Sequence, residues 1–478
     1  MQLHLLKFLF FGRATPEDAP VAVHRRNGIA ISFLEGAWAQ VWITLTAGKF
    51  LVDLIRHLGG GDLEIALISA VPFLFGPAQL LGAYLCTHFG SRKKVILVSA
   101  FINRQIWWLA VPLILLPLDS SVRFGLFFLM YLVSQFAGQI TNNTWLSWTA
   151  DLLPTQLRGR IIGARNALIL GIATLADFGA SAVRDGFGEA GRTAALALIF
   201  GVAAFAALVS VNLFRRQWEP PLASRELPPL RKILGACWRN ADVKRLQTAV
   251  LLWSFAVGVG GPFFTPFMMD DLELSFIMIL WYTLIVSGLS MLMNAFFWGH
   301  IVDKAGTLPV LLGNGLVIGC LPLLYLFITP EDLSLYWFDA VVTGIAWSGF
   351  NVALFNLPLQ VVPLRDRAYY LAITSMVGGI GMGAGNVLGG FVANAIGGST
   401  LDLFGYAWNN YQVMFILTTV LRYGALLLFL RVPDRRNRGM FVFMQELGEG
   451  VQRLVTAPRS LLLLGTRSPK RRRRRAAG

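Results

Sequence analysis

Ionisable and amide side chains inside long apolar runs mark where this sequence has chemistry to offer. Glu35 lies in the first such run, with Trp38 one turn later; Arg104 lies in the third, Asp177 in the fifth and Arg422 in the twelfth. A charge at the centre of a bilayer costs roughly 2.5–3.5 kcal/mol or more, so each must pair or face water. Two readings of Glu35 stand. As an acid facing a cavity it takes up and releases a proton, which is the chemistry of proton coupling. As half of an ion pair, most simply with Arg104, it is structural. Asp177 sits toward the end of its run, where it is either functional or merely solvated, and Arg422 calls for a partner on a neighbouring helix. Asn142, Asn143 and Asn351 are uncharged but also costly in lipid. They serve either a polar substrate or helix-to-helix hydrogen bonds worth ~0.6–2 kcal/mol each.

Other chemistries find no residues. The five histidines, at 4, 24, 57, 88 and 300, lie at helix ends or near the N-terminus and do not cluster. The cysteines Cys86, Cys237 and Cys320 have no metal or disulfide spacing. No Gly-x-x-x-x-Gly-Lys-Ser/Thr run suggests an ATP-driven engine. Gly381, Gly385 and Gly389 recur every four residues inside an apolar run, which is helix packing and not a phosphate loop. No catalytic residue, metal or cofactor is expected. A membrane enzyme acting on lipid-linked substrates remains an alternative, but it needs an acid pair or nucleophile–base set that is not visible.

The elements that must position these residues are membrane helices. The 478 residues are 55% hydrophobic and 14% charged, with mean hydropathy +0.61. A soluble chain carries about a quarter charged residues. Twelve runs are near the ~20 residues that cross a bilayer. They are Gly28–Leu51, Leu63–Leu85, Val95–Leu116, Phe124–Trp148, Ile161–Ala182, Thr193–Phe214, Thr248–Met268, Leu274–Phe297, Leu308–Phe327, Leu335–Val361, Tyr369–Ala395 and Tyr411–Leu430. The fold class is therefore an all-α membrane protein of two six-helix bundles, 28–214 and 246–431. A segment 1–27 precedes them, a proline-broken basic loop 215–245 joins them, and a basic tail 432–478 follows. Lysines and arginines concentrate in the loops on the side of both termini, which places the termini and the central loop in the cytoplasm of a cell that carries this chain in its inner or plasma membrane. The formal net charge of +15 is then a topology signal and requires no nucleic acid. The terminal run Lys470–Arg475 reads as attraction to anionic lipid or as a tail without a role. Before it, Phe441, Met444, Leu447, Val451 and Leu454 have the spacing of an amphipathic surface helix.

The halves repeat. Trp298–Gly306 joins two runs through Gly299, Asp303, Lys304 and Gly306; a weaker copy runs through Thr87, Gly90, Ser91 and Arg92. Asn142, Ser147, Pro154 and Arg158 recur at identical spacing as Asn351, Asn356, Pro363 and Arg367. With twelve runs and a long basic central loop, these features resemble the major facilitator superfamily of secondary transporters, as does Ser147–Arg160. The resemblance covers roughly residues 28–434. It implies alternating access between two bundles, a central cavity lined by the fourth and tenth helices with Glu35, Trp38, Asn142 and Asn351 as candidate lining, and a small organic solute. It also implies a gating motif at Gly90, Arg92, Asp151, Arg158, Arg160, Gly299, Asp303, Gly306 and Arg367. There Asp303 meets the inner end of the fifth helix, near Arg158 and Arg160, when the protein faces outward. Thr87 and Ser91 depart from the family pattern, which makes the expected latch one-sided. A receptor of the same fold without flux is a further alternative.

Overall fold

The computed structural model describes residues 20–155, 157–222, 240–293, 297–362, 367–397, 401–403, 406–434 and 437–456. Lys470–Arg475, Cys237, Pro363, most of the central loop and the side chain of Arg367 lie outside what is described.

Among the described residues twelve helices are long and apolar enough to cross a membrane. In order they are Val23–Leu45, Asp62–Phe89, Arg92–Leu115, Ser120–Leu152, Arg158–Phe187, Arg192–Arg216, Ala241–Asp271, Phe276–Met293, Thr307–Leu324, Ser334–Val361, Tyr370–Ile396 and Asn410–Phe429. They are called the first to twelfth spans below. Each overlaps one expected run. A two-stranded hairpin, Leu401–Leu403 with Tyr406–Trp408, precedes the twelfth span and is a small exception to the all-helical expectation. An even number of spans per half leaves both chain ends on one face, here the termini face.

The first run does not continue to Leu51. Its helix ends at Leu45, and a second helix, Gly48–His57, sets off along the opposite face. Gly48 takes the left-handed backbone, φ +55°, which glycine adopts without steric cost. Hydropathy is blind to such a turn. The stretch around Asp303 is also more helical than a tight turn would be. Gly299–Ala305 is helix, and the chain reverses at Gly306 alone, φ +100°. Gly90, φ +61°, does the same in the first half.

Each half has its own core. Trp107, Phe127 and Phe200 centre one; Trp253, Phe350 and Phe429 centre the other. The glycines of the eleventh span work as expected. Gly381, Gly385 and Gly389 lie against the carbonyls of Leu251, Phe255 and Val259 on the seventh span, so close that an added Cβ would stand 2.2–2.3 Å from those oxygens. The other side of the same helix packs on the second span: Gly383 meets Leu74 and Gly390 meets Ala66, which joins the two halves. The tail helix, Met440–Thr456, docks where the eighth span meets the ninth. Phe443 fills the space beside Gly313, and Glu446 pairs with Lys304 at 2.9 Å. Lys304 is thus tied to the tail, not free in water. The side chains of Val451 and Leu454 lie outside what is described, and among the described ones the apolar face expected for this helix divides. Leu447 packs inward, while Phe441 is 82% exposed and Met444 also points outward.

Candidate functional site

Glu35 is buried at 1% exposure and sits among three helices. Arg104 of the third span donates to its Oε1 at 3.0 Å, and Ser210 of the sixth span donates to the same oxygen at 2.9 Å. The Arg104 guanidinium also lies over Trp42 and Phe214 and bonds Ser210. The pairing reading of Glu35 is what the geometry favours. Arg165 of the fifth span, not singled out in the sequence, approaches the other carboxylate oxygen at 3.9 Å and lies over the Trp145 ring at 4.6 Å.

These groups line a cavity of about 350 Å³ between the first, third, fourth and fifth spans. Asn142 and Gln135 line it too, and their side chains make no hydrogen bond among the described residues. Trp38 does not line it. At about 100° of rotation per residue, Trp42, Glu35, Ala39, Ile43, Gly36 and Gln40 fall in sequence around one arc that faces the cavity, and Trp38 lies just beyond the Trp42 edge of it. Trp38 packs edge-on against Phe205 instead. Asn143 is structural, donating to the Gln79 carbonyl at 2.7 Å.

A second cavity, about 320 Å³, lies in the other half. Asp339 of the tenth span accepts there from Tyr282 at 2.5 Å, Tyr325 at 2.8 Å and Thr343 at 3.0 Å. Arg422 lines the same cavity and donates to the Ile318 carbonyl at 3.0 Å, so its neighbouring-helix partner is a backbone oxygen. Asp339, Thr343 and Trp347 form a four-residue stripe along this wall. Asn351 continues it one turn nearer the termini face, where it is exposed and lines neither cavity.

The halves are joined by polar contacts at the face opposite the termini. Arg56 pairs with Asp62 at 2.5 Å and with Asp270 across the halves at 2.8 Å, and Tyr411 and Asn410 bond Asp62. Lys49 donates to the Phe276 carbonyl at 2.6 Å and pairs with Asp177 at 2.7 Å, so Asp177 is a partner, not a solvated acid. Asp185, near the end of the fifth span, accepts from the backbone N–H groups of Phe276 and Ile277 at 2.9 and 3.0 Å. A carboxylate there meets the unpaired donors and positive end of the eighth helix. Nearby, within the first half, the buried Asp53 pairs with Arg184 and Arg192, each at 2.6 Å.

The expected gating residues lie at the termini face. Arg92 is buried and pairs with Asp151 and Ser147; Glu219, missed in the sequence, accepts from the N–H of Arg92 and from the Ser91 hydroxyl. Arg158 donates to the Ala150 carbonyl at 2.7 Å. Asp303 and Arg160 are exposed, with no ionic partner among the described residues. The Asp303 contact to the fifth span is therefore not made in this conformation. Arg165, Asp339, Lys49 and Asp53 were all legible by the rule that found Glu35, since each is ionisable and lies within or beside an apolar run.

A sequence model of the Major Facilitator Superfamily matches residues 37–385. No curated protein matches the sequence. Among solved structures, the nucleoside transporter NupG is similar with TM-score 0.62 at 16% identity, over 85% of this chain and 98% of its own. A bacterial homologue of the human lysosomal transporter Spinster, inward-facing and unoccupied, gives TM-score 0.62 at 16% identity, over 89% and 98%. The xylose transporter XylE from E. coli, in an inward open conformation, gives 0.57 at 16% identity, over 87% and 98%. At such identities the likeness is one of fold.

Proposed function

The chain belongs to the Major Facilitator Superfamily, and from that premise we propose that it is a secondary transporter carrying a small polar organic solute by alternating access. The family and the transporter fold point to transport rather than to an enzyme. The carrying observation is the first-half cavity, where Asn142 and Gln135 hold unused hydrogen-bonding groups at a site of ligand size. Nucleosides and xylose, named for two of the neighbours, are solutes of this general kind.

The positive-inside bias supports cytoplasmic termini. On that orientation the contacts through Arg56, Asp62, Asp270 and Asp185 close the outer face, and this conformation is open to the cytoplasm. Asp339 is the better candidate than Glu35 for carrying a coupling proton. Glu35 is already committed to Arg104 and Ser210. Asp339 is held by three hydroxyls, which turn from donors to acceptors and so suit either protonation state.

Flux into liposomes tests this reading. Purified protein should move one solute of a panel of nucleosides, sugars and organic acids, and Asp339→Asn should abolish acceleration by an inward proton gradient while sparing counterflow. Binding without flux would replace the transporter with a receptor. Gradient-driven uptake in Asp339→Asn would remove Asp339 from coupling. A reporter fused after Pro221 should be active only as a cytoplasmic reporter.

A further inference from the structure

We propose that the solute carries an anionic carboxylate, bound by Arg165; the proposal rests on the transporter reading above. The first-half cavity has three charged groups, Glu35, Arg104 and Arg165. Glu35 is used by Arg104 and Ser210 through hydrogen bonds, while Arg165 reaches it only at 3.9 Å, beyond a hydrogen bond. Two guanidiniums therefore share one carboxylate, and the cavity holds one positive charge in excess. Asp339 of the opposite half does not supply the missing anion, because it lines the other cavity and is held there by Tyr282, Tyr325 and Thr343.

Arg165 is poised and unsatisfied. Its side chain is 14% exposed, and its Nε is buried without a hydrogen-bond partner. Its guanidinium rests on the Trp145 ring. The room it occupies exists because residue 36 is glycine: a Cβ there would lie 2.5 Å from Nη2. A mostly buried guanidinium with only a long contact to a shared carboxylate is costly, and a group that completes its pairing is correspondingly favoured. The planar fork matches the two oxygens of a carboxylate. Asn142 and Gln135, on the same wall, are placed to hydrogen-bond the remainder of a small organic acid. At about 350 Å³ the cavity lies at the small end of ligand sites.

The test measures thermal stabilisation and liposome flux with lactate, succinate, benzoate and shikimate, each beside its neutral amide, and with uridine and xylose. At least one carboxylate should raise the melting midpoint while its amide does not. Arg165→Gln should weaken that binding roughly ten- to hundredfold, the scale of losing a hydrogen-bonded charge partner. Arg165→Lys keeps the charge and loses the fork, so binding should fall between the two. Gly36→Ala should also weaken it, by displacing the guanidinium while removing no charge. Stabilisation and flux by uridine or xylose, with no carboxylate bound, would overturn the anion proposal and leave the transporter standing. A bound carboxylate without flux would do the reverse. Carboxylate binding unchanged in both Arg165→Gln and Gly36→Ala, or no carboxylate bound at all, would overturn the assignment to Arg165.

Discussion

Glu35 and Arg104 show how burial decides the worth of a charge. Both are nearly inaccessible, at 1% and 6% exposure, so neither has water to fall back on. Breaking a buried pair from one side costs about 3–5 kcal/mol, whereas replacing both members is often close to neutral. Glu35→Gln should therefore lower the melting midpoint and folded yield in detergent, and Glu35→Gln with Arg104→Gln should recover part of the loss, the rest falling on Arg165, which loses the same carboxylate. A double variant no more stable than Glu35→Gln would show that the pair is not the stabilising unit. The sequence offered this pairing as one of two readings. It did not show that Arg165 competes for the same acid, because that depends on how the fifth span is rotated against the first.

Between helices, the decisive residues are those without side chains. The eleventh span lies on the seventh through Gly381, Gly385 and Gly389, and on the second through Gly383 and Gly390. Gly385→Ala would put a Cβ 2.2 Å from the Phe255 carbonyl, a backbone atom that cannot swing away. Overpacking of this kind costs about 1–3 kcal/mol. Gly424, where an added Cβ would meet nothing within 4 Å, is the control. Gly385→Ala should reduce the melting midpoint and Gly424→Ala should not. Equal effects would mean that backbone propensity, not packing, governs both sites. The glycine spacing was visible in the sequence; the helix it fits was not.

Across the whole molecule, the fifth and eighth spans run past each other from one face to the other. Asp185 now caps the eighth span from the fifth at the face opposite the termini. Asp303 would make the reverse contact, onto the start of the fifth span, once the termini face closed. Each contact is worth about 1–2 kcal/mol in a partly buried setting, a roughly five- to thirtyfold shift in a two-state population. The two substitutions should therefore act in opposite directions. In a cysteine-free background with cysteine at 356, Asp303→Asn should raise accessibility from the termini face and Asp185→Asn should lower it. If both moved accessibility the same way, the paired-latch account would be wrong.

Twelve spans, two halves, the reversing glycines and the basic bias of one face follow from the sequence alone, because hydropathy, turn conformation and charge asymmetry are local or additive along the chain. Glu35 and Arg422 were conspicuous for the same reason. What only tertiary structure decided is partnership and state. Trp42 and not Trp38 faces the cavity because of the phase of the first helix about its axis. Lys304 meets Glu446 because the tail helix folds back on the connection between the eighth and ninth spans. Arg165 lacks a full counter-charge because one carboxylate stands between two arginines on different helices. Which face is shut depends on contacts such as Asp185 with Phe276 and Ile277, 91 and 92 residues apart. Such pairings depend on distances across the fold, and alternative closures of nearly equal free energy can share one sequence.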